Sequence, residues 1–405
     1  MVKGIKLLKT LLITITVAAL SLVVYGFYTV PDELYCVSFD DLQTNGIYTI
    51  SYKNKAAANL RSIGTSAESR KYEVNVSLFN SIPVKTSSLT ISERKYVVPS
   101  GEIFGLRLYT QGVVVIKTDT VDTSAGYASP AEKAKLQKGD IILKVNGEYV
   151  TSSNSLSLLF CNSGGASFEI EYLRDSKAYK TTLTTLYSES ENKYKAGLWI
   201  RDSAAGIGTM TFYCPESGLF ASLGHGVCDV DTGEILPFSN GDTVKADICG
   251  CYKGENGKAG ELCGTFLSEV TGILFCNCSE GVYGKLSDYD KSQKVLPLAM
   301  SYEVEEGNAQ IISSVDNEGA KYYDIEITKL SDTEEKNMVI KITDEELIKK
   351  TGGIVQGMSG SPIIQNGMLV GAVTHVFLGD PTQGYAIFAQ TMLEKLDETA
   401  MAEAS

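Results

Sequence analysis

Near the C-terminal end, Gly357-Met358-Ser359-Gly360-Ser361-Pro362 restricts the local backbone more tightly than any other stretch. Glycines on both sides of a serine permit a turn too sharp for larger residues, and they bring N–H groups close to anything bound above it. The serine can attack a carbonyl carbon if a base removes its proton. Ile363 and Ile364 then open an apolar run, Asn366-Gly367 is a two-residue hairpin signal, and Met368-Leu369-Val370-Gly371-Ala372-Val373-Thr374-His375 is a second run. The unit reads as nucleophile loop, strand, tight turn, strand. Without chemistry, Gly-x-Ser-Gly is a polar turn, and the hexapeptide alone leaves both readings open.

A base must be found, and the chain has only two histidines. His225 follows Leu219-Phe220-Ala221-Ser222-Leu223 and lies between Gly224 and Gly226, which leave room for a substrate to approach. It is the expected base. His375 ends a run that resembles the strand lining the specificity pocket of trypsin-like proteases, so it is expected to wall that pocket. A carboxylate should hold the imidazole tautomer, and four residues qualify: Asp229, Asp231, Asp247 and Asp344. Asp229 and Asp231 are nearest to His225, but Cys228-Asp229-Val230-Asp231-Thr232-Gly233 reads first as a hairpin turn.

The 405 residues carry a net charge of −13. That length favours two or three domains, and that charge argues against nucleic acid as a partner. Lys3, Lys6 and Lys9 precede an uncharged run from Thr10 to Val30, followed by Asp32 and Glu33. At roughly 1.5 Å per residue the run is long enough to cross a bilayer. The lysines keep the tail cytoplasmic and place the remainder outside. A signal anchor is expected in preference to a cleaved signal peptide, because Ala18-Ala19-Leu20-Ser21 is a mediocre cleavage site. Nine cysteines include the pairs Cys249/Cys251 and Cys276/Cys278. Their spacing is short for zinc and no histidine lies near, so no metal is expected. Partial disulfide pairing and buried free thiols both stay open.

Residues 31–97 form a β-rich region with an Asn-, Lys- and Ala-rich middle that reads as a helix. In 98–185, Gly101-Glu102-Ile103-Phe104-Gly105-Leu106 enters a strand, and Ser129-Pro130-Ala131-Glu132 starts a helix with a serine cap and proline at the first position. Lys138-Gly139-Asp140-Ile141-Ile142-Leu143-Lys144-Val145-Asn146-Gly147 gives a strand and a tight turn, and 154–160 suit a second helix. This arrangement resembles a PDZ domain of exported proteases. The resemblance implies that an extended peptide adds to the sheet edge, with Ile103, Phe104, Gly105 and Leu106 lining the groove. In 186–395, many short strands separated by glycine turns argue for a barrel or sandwich, and 390–400 read as an amphipathic helix.

Leu223-Gly224-His225-Gly226 and the stretch from Thr351 through Ser359 to Phe377, with Asp344 before it, resemble the stage IV sporulation protein B peptidase family of endospore-forming bacteria. The order of membrane segment, PDZ domain and peptidase domain also resembles that family. The resemblance implies a mainly β fold: an anchor (1–30), a β-rich region (31–97), a PDZ domain (98–185), a trypsin-like double β-barrel (186–395) and a short tail (396–405). It implies a triad of Ser359, His225 and Asp344, with the N–H groups of Gly357 and Ser359 as oxyanion hole and no cofactor. It further implies an exported, membrane-tethered endopeptidase between the forespore and mother-cell membranes, cleaving itself and a regulatory membrane protein. The alternative is a PDZ scaffold whose protease-like domain is inactive.

Overall fold

The computed structural model describes residues 2–30, 32–37, 47–52, 70–91, 93–331 and 336–403. Two units arise, Met1–Lys95 and Tyr96–Ser405. The first opens with helix α1 (Val2–Thr29), in which Lys9–Thr29 has a mean hydropathy of 2.1 and is long and apolar enough to cross a membrane. Four strands follow: β1 (Glu33–Cys36), β2 (Tyr48–Tyr52), β3 (Arg70–Leu78) and β4 (Ile82–Ile91), in the spatial order β1-β4-β3-β2. Val74, Val76 and Leu78 of β3 are buried, as the period of two requires. The Asn-, Lys- and Ala-rich middle, at 53–69, lies outside the described residues.

The second unit starts with β5 (Tyr96–Pro99) and the long strand β6 (Ile103–Thr118). Small elements come next: β7 (Val121–Thr123), β8 (Gly126–Ala128), α2 (Pro130–Lys133), β9 (Ile141–Val145), β10 (Glu148–Tyr149), α3 (Ser153–Cys161), β11 (Ser167–Arg174) and β12 (Lys177–Thr184). The hairpin of β13 (Leu186–Ser188) and β14 (Lys193–Lys195) follows. Ser129 caps α2 through Glu132 N, and Pro130 occupies its first turn, where the missing N–H costs nothing. Val113, Val115, Ile142, Leu156, Phe160 and Ile170 pack into one core.

Two closed barrels complete the unit. The first adds β15 (Leu198–Tyr213), β16 (Leu219–Ser222), β17 (Phe238–Tyr252), β18 (Gly260–Cys278) and β19 (Gly281–Leu286) to β6. Pairing runs β6-β17-β18-β19-β16-β15, and β15 returns to β6, which closes the ring. Since β6 precedes the PDZ-like elements, they are an insertion within the chain of this barrel. A short strand, β20 (Leu296–Pro297), pairs with β5. The second barrel is formed by β21 (Gly307–Ser313), β22 (Lys321–Leu330), β23 (Met338–Ile342), β25 (Pro362–Gln365), β26 (Met368–Phe377) and β27 (Asp380–Phe388). Helix α4 (Glu345–Thr351) and strand β24 (Val355–Gln356) lie between β23 and β25. The turn between β25 and β26 has positive φ at Asn366 (50°) and Gly367 (77°), as an Asn-Gly hairpin demands. Helix α5 (Ala389–Glu403) runs on through most of the expected tail and buries Met392 and Leu396.

The expectation that Ile103, Phe104, Gly105 and Leu106 line a peptide groove is corrected here. Both edges of β6 are taken at this point: Ile103 to Leu106 pair with Thr209 to Gly206 of β15, and Gly105 and Leu106 also pair with Val244 and Thr243 of β17. Phe104 and Leu106 are buried in the first barrel's core. A strand paired on both sides has no donors or acceptors left for an added peptide.

Candidate active site

Ser359 sits in the turn between β24 and β25, with φ of +100° at Gly357 and +95° at Gly360. Ser361 N donates to Met358 O at 3.0 Å and closes the turn. The Met358 side chain is fully buried and anchors it in the second barrel's core. The first barrel grips the same turn from the other side. Thr209 N donates to Ser359 O (3.0 Å), Thr209 Oγ1 to Gly357 O (2.7 Å) and Thr211 Oγ1 to Gly360 O (2.8 Å). Thr209 and Thr211 are fully buried, two apart on β15 and so on one face. Sequence reasoning missed both. The available signal was the alternation in Gly208-Thr209-Met210-Thr211-Phe212, a polar face within an otherwise apolar strand.

His225 follows β16 after a left-handed turn at Leu223 (φ 65°) and Gly224 (φ 68°). Its Nδ1 lies 2.8 Å from Gly226 O. The tautomer with hydrogen on Nδ1 donates to that carbonyl and leaves Nε2 free to accept a proton. Burial pushes the His225 pKa below its ordinary value, only partly opposed by the Gly226 carbonyl. His375 stands beside it, with ring centroids 4.7 Å apart. Desolvation, then His225 and Lys336, push His375 down to about 4. Both imidazoles are therefore neutral at neutral pH, the state a general base requires.

Ser359, His225 and His375 line one cleft of about 470 Å³. Its walls are mostly apolar and include Leu106, Leu108, Ile207, Leu223, Val355 and Val376; no Asp or Glu lines it among the described residues. The N–H groups of Gly357 and Ser359 have no hydrogen-bond partner among the described residues, so both donors are free for an oxyanion. The Ser359 hydroxyl donates to Thr374 O at 2.7 Å. No hydrogen bond joins it to His225.

Asp344 is placed elsewhere. It is the N-cap of α4, with Oδ1 accepting from Leu347 N at 2.9 Å and Oδ2 from Asp324 N at 3.4 Å. No hydrogen bond or ion pair joins it to His225, whose Nδ1 is already satisfied by Gly226. Glu345 and Glu346 in the first turn, Lys349 and Lys350 in the last, and Gly352 in the left-handed cap complete a well-terminated helix that leads into the nucleophile turn. Asp247 lies on β17 opposite Thr265 and does not line the cleft.

Asp229 and Asp231 hold the histidine loop without touching the imidazole. Asp229 Oδ1 accepts from Asp231 N (2.9 Å) and Thr232 N (2.8 Å), and Oδ2 pairs with Arg201 of β15. Arg201 also reaches Asp231 at 2.8 Å. Burial alone would raise the Asp229 pKa; the Thr232 N–H, Arg201 and the Asp231 N–H outweigh it and hold the carboxyl below its usual range. Asn277 of β18 fastens the other side of the loop through Val227 N (2.8 Å) and Val227 O (3.1 Å). All nine cysteines are free thiols, and no metal-binding cluster of His, Cys, Asp and Glu occurs among the described residues.

The depressed histidine pKa values fix the direction of the pH response. The acid limb of kcat/KM is expected to fall at an apparent pKa below about 6.5, the ordinary histidine value, and it belongs to the coupled pair. Stability follows the same direction. The unfolded chain takes up protons first, so stability is present above about pH 6.5 and is lost as pH falls toward about 4. Rate and thermal-midpoint profiles against pH check both; an acid limb above 7 would contradict neutral, buried imidazoles.

Residues 192–393 match the family described as SpoIVB peptidase S55, and residues 121–174 match a PDZ domain. Among solved structures, the PDZ domain of an SdrC-like protein from Listeria monocytogenes is 21% identical, covering 22% of this chain and 87% of that one, with a TM-score of 0.18. The HtrA-type protease AlgW with a decapeptide is 11% identical, covering 75% of this chain and 65% of that one, with a TM-score of 0.32. Human heparin binding protein is 11% identical, covering 48% and 85%, with a TM-score of 0.25. This chain thus spans just under two thirds of the length of AlgW. No curated protein matches it.

Proposed function

The chain belongs to the SpoIVB peptidase S55 family and carries a PDZ domain, and from that premise we propose that it is a membrane-tethered serine endopeptidase acting through Ser359 and His225. The observation that carries this reading is the shared cleft, in which Ser359, His225 and the free N–H groups of Gly357 and Ser359 converge. Ser359 Oγ attacks the peptide carbonyl as its proton passes to His225 Nε2. The Gly357 and Ser359 N–H groups hold the oxyanion. His225 returns the proton to the leaving amine, and then activates the water that hydrolyses the acyl-enzyme. The Gly226 carbonyl fixes the tautomer, and Asp344 acts at a distance by capping α4. The apolar cleft favours substrates with apolar residues beside the scissile bond.

Family membership and the apolar helix Lys9–Thr29 support a finer reading. The peptidase domain works outside the cytoplasm, in the space between forespore and mother-cell membranes. There it cleaves itself and a regulatory membrane protein, carrying a signal between compartments during endospore formation. One observation favours the rival reading of an inert PDZ scaffold: the Ser359 hydroxyl bonds to Thr374 O and not to His225. Treatment of the full-length chain with a fluorophosphonate probe decides between them. Labelling mapped to Ser359 is the expected result; an unlabelled Ser359 in folded protein establishes the scaffold.

A further inference from the structure

Strand β15 has one side left open. From Leu198 to Thr209 it pairs antiparallel with β6, a side that β5 continues at Phe212 and Tyr213, and only at Met210–Tyr213 does its other side gain β16. Between Leu198 and Gly208 that second side meets no strand, and no other backbone partner is present among the described residues. At one end the open edge lies beside α3: Asp202 accepts from Ser153 N (2.7 Å) and Ser153 Oγ (3.0 Å). Here α3 exposes Leu158 and Leu159, while Leu198 and Ile200 are only partly covered by the PDZ core. At the other end Ala205, Gly206 and Ile207 line the catalytic cleft, and Thr209 N is bonded to Ser359 O. One unpaired edge thus joins the PDZ helix to the nucleophile turn. Unpaired edges are where extended chains add.

We propose that a single polypeptide substrate occupies this whole edge as an added antiparallel strand, with its scissile bond at Ser359 and its downstream residues laid along β15 to α3. The proposal rests on the reading of Ser359 as nucleophile. Direction follows from the pairing: every neighbour of β15 runs antiparallel to it, and antiparallel addition is the more stable form. The substrate then runs from Thr209 toward Leu198, so the residues after the scissile bond follow the edge. The open run from Leu198 to Ile207 is roughly 33 Å long at ~3.3 Å per residue. The substrate is an extended tail with about ten residues beyond its cleavage site, and the PDZ portion selects it by holding the fragment that is released.

Two measurements on the full-length chain test this. The first digests a proteome-derived peptide library and maps each cleavage by mass spectrometry. Cleavage is expected to fall at least tenfold when fewer than about eight residues follow the scissile bond; equal rates for peptides with three would overturn the proposal. The second uses Trp199, the only tryptophan of the chain, which lies on this edge and is 60% exposed. In Ser359→Ala protein its emission is expected to shift when 20-residue library peptides are added and to stay unchanged with peptides ending three residues after the cleavage position. No response to the long peptides would overturn the proposal even where cleavage is normal. Loss of the peptidase reading looks different: Ser359 of the unsubstituted chain would then fail to label with the fluorophosphonate probe.

Discussion

Ser359→Ala and His225→Ala are each expected to lower kcat by roughly 10⁶-fold, whereas Asp344→Asn is expected to lower it by less than about tenfold. The contrast separates two roles for Asp344. A carboxylate that holds a catalytic imidazole cannot be replaced by an amide, because the amide imposes the wrong tautomer and costs about 10⁴-fold. A helix N-cap can be, since asparagine accepts the same backbone N–H about equally well. In the structure Asp344 accepts from Leu347 N and Asp324 N, and His225 Nδ1 is bonded to Gly226 O. Asp344→Ala should then cost about 1 kcal/mol of stability and lower kcat further than Asn does, because α4 leads directly into the nucleophile turn. Steady-state kinetics and thermal midpoints of the two variants decide the matter. An Asn variant as slow as the Ala variant, with an unchanged midpoint, would return Asp344 to the imidazole.

Gly360→Ala is expected to abolish fluorophosphonate labelling of Ser359 and to destabilise the chain by about 2–4 kcal/mol. A Cβ at Gly360 would stand 2.0 Å from Thr209 O and 2.6 Å from Leu223 N, both backbone atoms that no side-chain rotation can move. The φ of +95° adds strain of its own. Relief requires the turn to leave β15, which breaks the bonds from Thr209 and Thr211 that hold Ser359. Gly319→Ala is the control: its φ is +89°, but nothing lies within 4 Å of the added carbon. It carries the strain without the clash and should cost about 1 kcal/mol with labelling intact. Equal losses for the two variants would show that strain alone, and not the grip of the first barrel, sets the Gly360 requirement.

Local chemistry made much of this molecule legible. The Asn366-Gly367 hairpin, the Ser129-Pro130 helix start and the glycine-flanked Ser359 are each written within a few consecutive residues, and each appears where the pattern put it. The cap role of Asp344 was also written locally, in Glu345, Glu346, Lys349, Lys350 and Gly352. A resemblance-based triad competed with that pattern for the same residue. The error at Ile103–Leu106 has a different cause. A glycine-punctuated apolar strand suits a PDZ edge and a barrel wall equally well, and only partners more than a hundred residues away distinguish them. Ile103 meets Thr209, and Leu106 meets Thr243.

By itself, then, the sequence singled out the glycine-flanked Ser359 and His225 that share one cleft, the apolar N-terminal helix and the β character of the chain, because these rest on short-range backbone freedom, residue scarcity and hydropathy. The tertiary structure alone decided that β6 closes the first barrel, that Thr209 and Thr211 grip the nucleophile turn, and that Arg201 and Asp229 brace the histidine loop. It alone left the edge of β15 open from α3 to Ser359. These depend on hydrogen bonds between strands distant in the chain, and pairing of that kind leaves no periodic or compositional trace in either partner.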